Sequence, residues 1–152
     1  MGETEQPAFR RAVVALNGGT SDERIVRLAA SMAAKGKAEV IAVHVVEIDW
    51  TLPLDADIAG RSEEVQRVLD SAEAIAEDFR LTMEPVLLQA RDVGAAIVDE
   101  ATERDADLLV VGLPYRTRFG GDFAIGRTIP YILQNAPCTV WVVREPMSEE
   151  TS

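Results

Sequence analysis

The chain alternates between short apolar runs and longer stretches in which apolar residues recur every three or four positions. The clearest run, LLVV at residues 108–111, shows no polar alternation. A run of this kind is typical of a strand that is buried on both faces of a parallel sheet. The pattern predicts five strands, at residues 12–16, 40–46, 85–89, 108–111 and 139–143.

Four helices are predicted between these strands. The first begins near Thr20, which has capping-box spacing to Glu23, and Gly36 stops it. The second has the most regular spacing, with one apolar face over residues 65–79, and the third is capped by Asp92. The fourth has a short apolar face made of Ile129, Ile132, Leu133 and Ala136.

Strands that alternate with helices imply right-handed crossovers and a parallel sheet. We therefore predict a doubly wound α/β fold, with five parallel strands in the order 3-2-1-4-5 and helices on both faces. Ligands of such sheets bind outside the carboxyl ends of the strands, where the strand order reverses. In this order strands 1 and 4 are neighbours, so the Gly-rich turns that follow them would face one crevice.

Length and composition fit one globular domain. The chain has 152 residues, of which 47% are hydrophobic, and we expect a domain over residues 11–145 between a flexible N-terminus (1–10) and an acidic tail (146–152). A net charge of −11 argues against binding to nucleic acid or to an anionic membrane. A single cysteine fits a reducing compartment, and no apolar run is long enough to span a membrane, so we expect a cytoplasmic protein.

The stretch after the fourth strand is the main candidate for chemistry. Residues 113–125 are rich in glycine and arginine, and a short helix follows them. Glycines allow backbone N–H groups to approach a phosphate, and a helix N-terminus adds partial positive charge. The stretch therefore predicts an anion site, with Asn17, Gly18 and Gly19 near a nucleoside or serving only as a turn.

Four segments of the sequence resemble the universal stress protein family: AVVALNGG, VIAVHVV, DVGAAIVDEATERDADLLVVG and NAPCTVWVVR. The resemblance covers residues 12–144 and implies a Rossmann-like, adenine nucleotide alpha hydrolase-like fold. It also implies a homodimer joined through the last strand, residues 139–143, and binding of ATP or a related nucleotide, with or without magnesium. The binding residues it implies are Ala15, Leu16, Asn17, Gly18, Val45 and Val46 for adenine, and Gly112, Tyr115, Arg116, Arg118, Gly126, Arg127 and Thr128 for phosphate.

The chain departs from the pattern of the ATP-binding members, which have Gly, two residues, Gly, nine residues, and then Gly followed by Ser or Thr. Gly112 matches the first glycine, but Tyr115 stands at the second and ten residues separate it from Gly126. Arg127 follows Gly126, so that Thr128 comes one place late. Tyr115 would either stack on a base or fill the space needed by phosphate. The arginines would supply charge that the family draws from its backbone.

The same variant loop, GLPYRTRFGG, is similar to stress-protein-like domains on the cytoplasmic ends of amino-acid permeases. The sequence thus favours a regulatory module that senses an adenine nucleotide. The alternative is a nucleotide-independent module that binds a protein such as a membrane transporter. A nucleotide hydrolase ranks last, because no general base is visible, and we expect no enzyme activity.

The remaining polar residues fit structural roles. His44 is expected to be a hydrogen-bonded core residue rather than a catalyst. One histidine and one cysteine, Cys138, do not make a metal site, and Cys138 is expected in the core. The last strand would leave an apolar sheet edge that needs cover, which independently favours a homodimer.

Overall fold

The computed structural model describes residues 8–53, 62–115 and 125–147, and all statements on the structure refer to these ranges. The predicted fold class is confirmed: five parallel strands form one sheet in the order β3-β2-β1-β4-β5. The elements in chain order are β1 (Arg11–Leu16), α1 (Ser21–Gly36), β2 (Glu39–Glu47), α2 (Ser62–Asp78), β3 (Glu84–Ala90), α3 (Val93–Glu103), β4 (Leu108–Leu113), α4 (Thr128–Asn135) and β5 (Thr139–Arg144).

The helices divide between the two faces of the sheet, as predicted. α1 and α2 pack together over one face, where alternate strand residues such as Val14 and Val110 join their apolar faces. α3 and α4 cover the other face, around Val13 and Leu109. Because side chains alternate along a strand, the sheet contributes to two separate cores, and its central strands are apolar at nearly every position.

Two residues before β1 contact the sheet. Phe9 is buried and meets Trp141 edge-on, with ring centroids 6.1 Å apart. The carboxylate of Asp107 accepts hydrogen bonds from the backbone N–H groups of Arg10 and Arg11 at 2.9 Å. The segment predicted to be flexible therefore contributes Phe9 and Arg10 to the folded domain.

Two predictions about α1 were wrong. Thr20 precedes the helix but makes no side-chain capping hydrogen bond, so the expected capping box with Glu23 does not form. The carboxylate of Glu23 instead pairs with Arg27 one turn later, at 3.0 Å. Gly36 is still helical, and it is Lys37 that takes the left-handed conformation, with φ of 58°. A lysine can adopt this conformation at a modest steric cost, so Gly36 is the last helical residue and Lys37 the C-cap.

Two further corrections concern β4 and α4. β4 continues through Gly112, which pairs with Val143, to Leu113, so Leu113 is a strand residue and not the start of the following loop. In α4, Ile129 and Ile132 are buried as predicted, but Leu133 is 55% exposed. α4 has only eight residues, and its apolar face is narrower than the sequence pattern indicated.

Candidate functional site

The strand order places the ends of β1 and β4 side by side and opens a crevice of about 540 Å³ there. We call it the β1–β4 crevice. α3 supplies an apolar wall through Val93 and Ile97, and the segment before α4 closes the other side. Eight of the predicted site residues line it: Ala15, Leu16, Asn17, Val45, Gly112, Gly126, Arg127 and Thr128.

The other predicted site residues lie elsewhere. Gly18 and Val46 line a second cavity, on the opposite face of the sheet. Tyr115 is not among the described residues that line the crevice; the guanidinium carbon of Arg144 lies 5.0 Å from the centre of its ring. Arg116 and Arg118 fall outside the described residues.

The turn after β1 is held by a carboxylate that sequence reasoning missed. Asp22, near the start of α1, accepts hydrogen bonds from the backbone N–H groups of Asn17 at 3.0 Å and Gly18 at 2.8 Å. The side-chain oxygen of Asn17 accepts one from Gly19 at 2.7 Å. The side-chain oxygen of Asn17 is thus used by the turn.

Burial of the carboxyl raises the pKa of Asp22, although its hydrogen bonds from Asn17 and Gly18 act in the opposite direction. Asp22 places an acidic group at the turn after β1, from the first turn of α1 and not from the strand end. No sequence signal distinguishes Asp22 from the other acidic residues of the first helical turn, Glu23 included. Only the tertiary position of the turn identifies it.

Gly112 is required by packing on the far side of β4. A Cβ atom added to it would lie 2.5 Å from Cβ of Ser21 and 3.4 Å from a methyl group of Ile25. Both residues belong to α1, which covers the face opposite the crevice. The glycine thus allows α1 to approach the sheet, and this role does not depend on a phosphate.

The amino end of α4 forms the polar end of the crevice. Gly126 precedes it with φ of 79°, a conformation that favours glycine, and Arg127 occupies the N-cap position without a side-chain cap. The first backbone N–H groups of a helix have no partner inside the helix. Pro130 has no N–H, so the amides of Thr128 and Ile129 are the donors of this turn that lack an intrahelical partner, beside the Thr128 hydroxyl and the Arg127 guanidinium.

The prediction for His44 is confirmed. It lies on β2, is 9% exposed, and its Nδ1 is 3.0 Å from the carbonyl oxygen of Leu16. Cys138 is partly buried, and burial raises the pKa of its thiol, which disfavours the reactive thiolate. Across the described residues no group of three or more His, Cys, Asp or Glu side chains is arranged to hold a metal ion.

The chain belongs to the universal stress protein family, whose model matches residues 8–144. A relative of nearly the same length is the universal stress protein MJ0531 of Methanocaldococcus jannaschii, 25% identical over 93% of this chain and 85% of its own. The structure of the Archaeoglobus fulgidus universal stress protein in complex with dAMP superimposes with a TM-score of 0.68, at 24% identity, over 91% of this chain and 98% of that one.

The chain is also similar to the sensor protein KdpD of Mycobacterium tuberculosis (strain CDC 1551 / Oshkosh). The two are 32% identical over 95% of this chain, which spans only 16% of the length of that sensor. The expected likeness to permease domains stays a prediction. No helix within the described ranges has the length and apolar character needed to cross a membrane.

Proposed function

We propose that the chain is a cytoplasmic regulatory module that binds an adenine nucleotide in the β1–β4 crevice. The observation that carries this proposal is the combination of apolar walls with the polar amino end of α4 in one cavity. Apolar pockets with a few placed polar groups are typical of small-molecule sites. The base would lie against the ends of β1 and β2, near Ala15 and Val45, and the phosphate would face Arg127.

The donors at α4 are enough for one phosphate group. Among the described residues, two amides without an intrahelical partner, a hydroxyl and a guanidinium belong to this end of the crevice, and an anion gains further from the helix dipole. This donor set suits a phosphate group of an adenine nucleotide. The dAMP complex of the Archaeoglobus fulgidus relative supports the same class of ligand.

The crevice supports a regulatory function better than a catalytic one. The described lining of the crevice offers mainly hydrogen-bond donors and apolar contacts, with Glu47 as its carboxylate. The similarity to part of a sensor protein supports a module that responds to its ligand and passes the signal to another domain or protein. Release of phosphate from ATP by the wild type, lost in Arg127→Gln, would contradict this proposal.

A thermal-shift titration with AMP, cyclic AMP, cyclic di-AMP and ATP, each with and without magnesium, tests nucleotide binding. A ligand present at 100 times its dissociation constant stabilises the native state by about 2.7 kcal/mol, which is a visible shift. We expect the shift to be lost with adenosine, which has no phosphate, and in Arg127→Gln. Arg24→Gln, an exposed change on α1 with the same loss of charge, should leave it unchanged.

A nucleotide-independent protein-binding module is the second candidate. Three large apolar side chains around α4 are exposed to solvent, namely Ile125, Tyr131 and Leu133. The absence of a shift with every nucleotide would favour this candidate and move the search to a partner protein, such as a larger sensor or a membrane transporter.

We also propose that two copies pair through β5 (Thr139–Arg144). β5 has only β4 beside it in the sheet, so one row of its backbone groups has no strand partner within the described residues. Its outward position Val142 is apolar and exposed. Pairing with a second β5 would satisfy that edge and cover Val142.

A further inference from the structure

A second cavity lies on the opposite face of the sheet from the β1–β4 crevice. It has a volume of about 610 Å³, opens between α1 and α2 at the ends of β1 and β2, and has an apolar floor that includes Val26, Val68 and Ala72. We call it the α1–α2 cleft. It is comparable in volume to the crevice and shares Asn17, Val45 and Glu47 with it, but the rest of its lining takes no part in the proposed nucleotide site.

His44 gives this cleft an unused hydrogen-bond acceptor. A carbonyl oxygen can only accept, so the contact between Nδ1 and the Leu16 oxygen at 3.0 Å places the ring proton on Nδ1. Nε2 of the neutral ring is then an acceptor. His44 lines the cleft, nine-tenths of the residue is buried, and Nε2 makes no hydrogen bond in the part of the chain that the structure describes. Nε2 is therefore an open acceptor in the wall of the cleft, and a ligand with an N–H group can donate to it.

The charge around His44 specifies the rest of the ligand. The described lining carries four carboxylates, from Asp22, Glu23, Glu47 and Glu64, against the single guanidinium of Arg67. Glu23 is partly neutralised by Arg27, whereas the other three have no ion pair among the described residues. This excess of negative charge favours a cation. Since no group of three or more ligating side chains is arranged for a metal ion in those residues, the cation must bring its own donors.

We propose that the α1–α2 cleft binds a small organic cation with N–H donors, of the primary ammonium class. One N–H group donates to Nε2 of His44. The charge lies between Asp22 and Glu64, and the hydrocarbon part covers the apolar floor at Val68. Arg67 opposes this binding, because its guanidinium lies at the same opening. The proposal does not depend on nucleotide binding in the crevice.

Calorimetric titration of the full chain with 1,4-diaminobutane, at fixed ionic strength, tests the proposal. The matched control ligand is its fully methylated diammonium analogue, which has the same charge and no N–H group. We expect saturable binding of the diamine and about tenfold weaker binding of the analogue, which corresponds to one hydrogen bond of about 1.4 kcal/mol. No saturable binding of the diamine, or equal binding of both ligands, would overturn the proposal.

Variants separate a built site from general attraction to an acidic protein. His44→Phe keeps a ring but removes the acceptor, and should weaken diamine binding about tenfold. Glu64→Gln should weaken it about twofold to fivefold, and Arg67→Gln should strengthen it by a similar factor. Glu63→Gln is the matched control, because its side chain is exposed and does not line the cleft.

The two α2 variants keep the test decisive even if His44→Phe does not fold, because both residues lie on a helix outside the sheet. Equal effects of Glu63→Gln and Glu64→Gln would show attraction to net charge alone and overturn the site. Weaker binding in Glu64→Gln and stronger binding in Arg67→Gln, with no change in Glu63→Gln, would support it.

Discussion

The contact between Gly112 and Ser21 is the tightest steric constraint among the described glycines. Gly112→Ala would put a Cβ atom 2.5 Å from Cβ of Ser21, an atom next to the helix backbone that cannot rotate away. Overpacking of this kind costs about 1–3 kcal/mol. We expect Gly112→Ala to lower the free energy of unfolding by this amount, measured by urea denaturation.

Ser21→Gly provides the control for that prediction. It removes the atom that the new methyl group would meet, so the double variant should recover part of the stability lost in Gly112→Ala. If the double variant loses as much stability as the two single variants together, the assigned contact is wrong. The hydroxyl of Ser21 is buried with no hydrogen-bond partner in the described residues, so its removal sacrifices no bond there.

The pKa values of two aspartates, Asp22 and Asp107, are shifted in opposite directions, so we expect their contributions to stability to change with pH in opposite directions. Burial raises the pKa of Asp22, so the folded state binds its proton more tightly than the unfolded state does. For Asp107, burial also raises the pKa, but the hydrogen bonds from the N–H groups of Arg11 and Arg10 lower it. The lowering effects together exceed the effect of burial, so the pKa of Asp107 lies below its ordinary value. Relative to Asp22→Asn, the wild type should therefore lose stability as the pH rises above about 4. Relative to Asp107→Asn, it should gain stability as the pH rises towards about 4 from below, and keep that gain at higher pH.

Urea unfolding of the three proteins between about pH 3 and pH 7 measures both differences. Comparison with each variant isolates one carboxyl from all the others. The stability from Asp107 should be fully present above the ordinary aspartate pKa and disappear as the pH falls through its lowered folded value. A common sign for the two differences would contradict the described environments.

Residue roles of this kind were the least predictable part of the site. In the sequence, Gly112 was singled out because it matches the first glycine of the phosphate-loop pattern. In the structure, this glycine is needed because α1, which is distant in sequence, packs closely against it. Asp22 was missed although its partners Asn17 and Gly18 are close in sequence, because Glu23 in the same helical turn is equally acidic. Whether a residue lies in a turn or against a helix depends on tertiary contacts, and these leave no local pattern in the chain.

At the scale of elements, the two helix starts that looked alike in sequence differ in structure. Asp92 accepts a hydrogen bond from the N–H of Ala95 at 3.1 Å, whereas Thr20 makes no side-chain cap. We therefore expect Asp92→Ala to cost about 1 kcal/mol of unfolding free energy, and Thr20→Ala less than about 0.5 kcal/mol. Asp92→Ser, which restores a capping oxygen, should recover most of the loss. Equal costs at the two positions would contradict the assignment.

Elements were largely predictable because each strand or helix is set by periodicity. The apolar runs located all five strands to within two residues at either end, since strands covered on both faces exclude polar residues. α4 shows the limit of this approach. Leu133 fits a helical face by spacing, yet a helix of eight residues packs only through Ile129 and Ile132.

The strand order links the elements to the whole molecule. β1 lies between β2 and β4, so the strand order reverses at β1. Two cavities form at this end of the sheet, one on each face. The crevice was predictable from this topology alone. The α1–α2 cleft was not, because it depends on how closely α1 and α2 approach each other above His44. The same order also leaves two edges, β3 and β5.

The two edge strands allow a matched test of the proposed homodimer. Val142 on β5 is 37% exposed and Leu87 on β3 is 48% exposed. A carboxylate in a paired edge would be buried without a partner, which disfavours association strongly. We expect Val142→Asp to raise the dimer dissociation constant at least about tenfold, measured by sedimentation equilibrium.

Leu87→Asp is the control, because it introduces the same charge at an edge that the proposal leaves unpaired. Both positions are already open to solvent in the single chain, so neither change removes a core contact and both variants should fold. If Leu87→Asp dissociates the dimer and Val142→Asp does not, the chain pairs through β3 instead. If the wild type is monomeric at all concentrations, the proposed homodimer is wrong. A different protein would then have to cover the β5 edge, together with the exposed apolar side chains around α4.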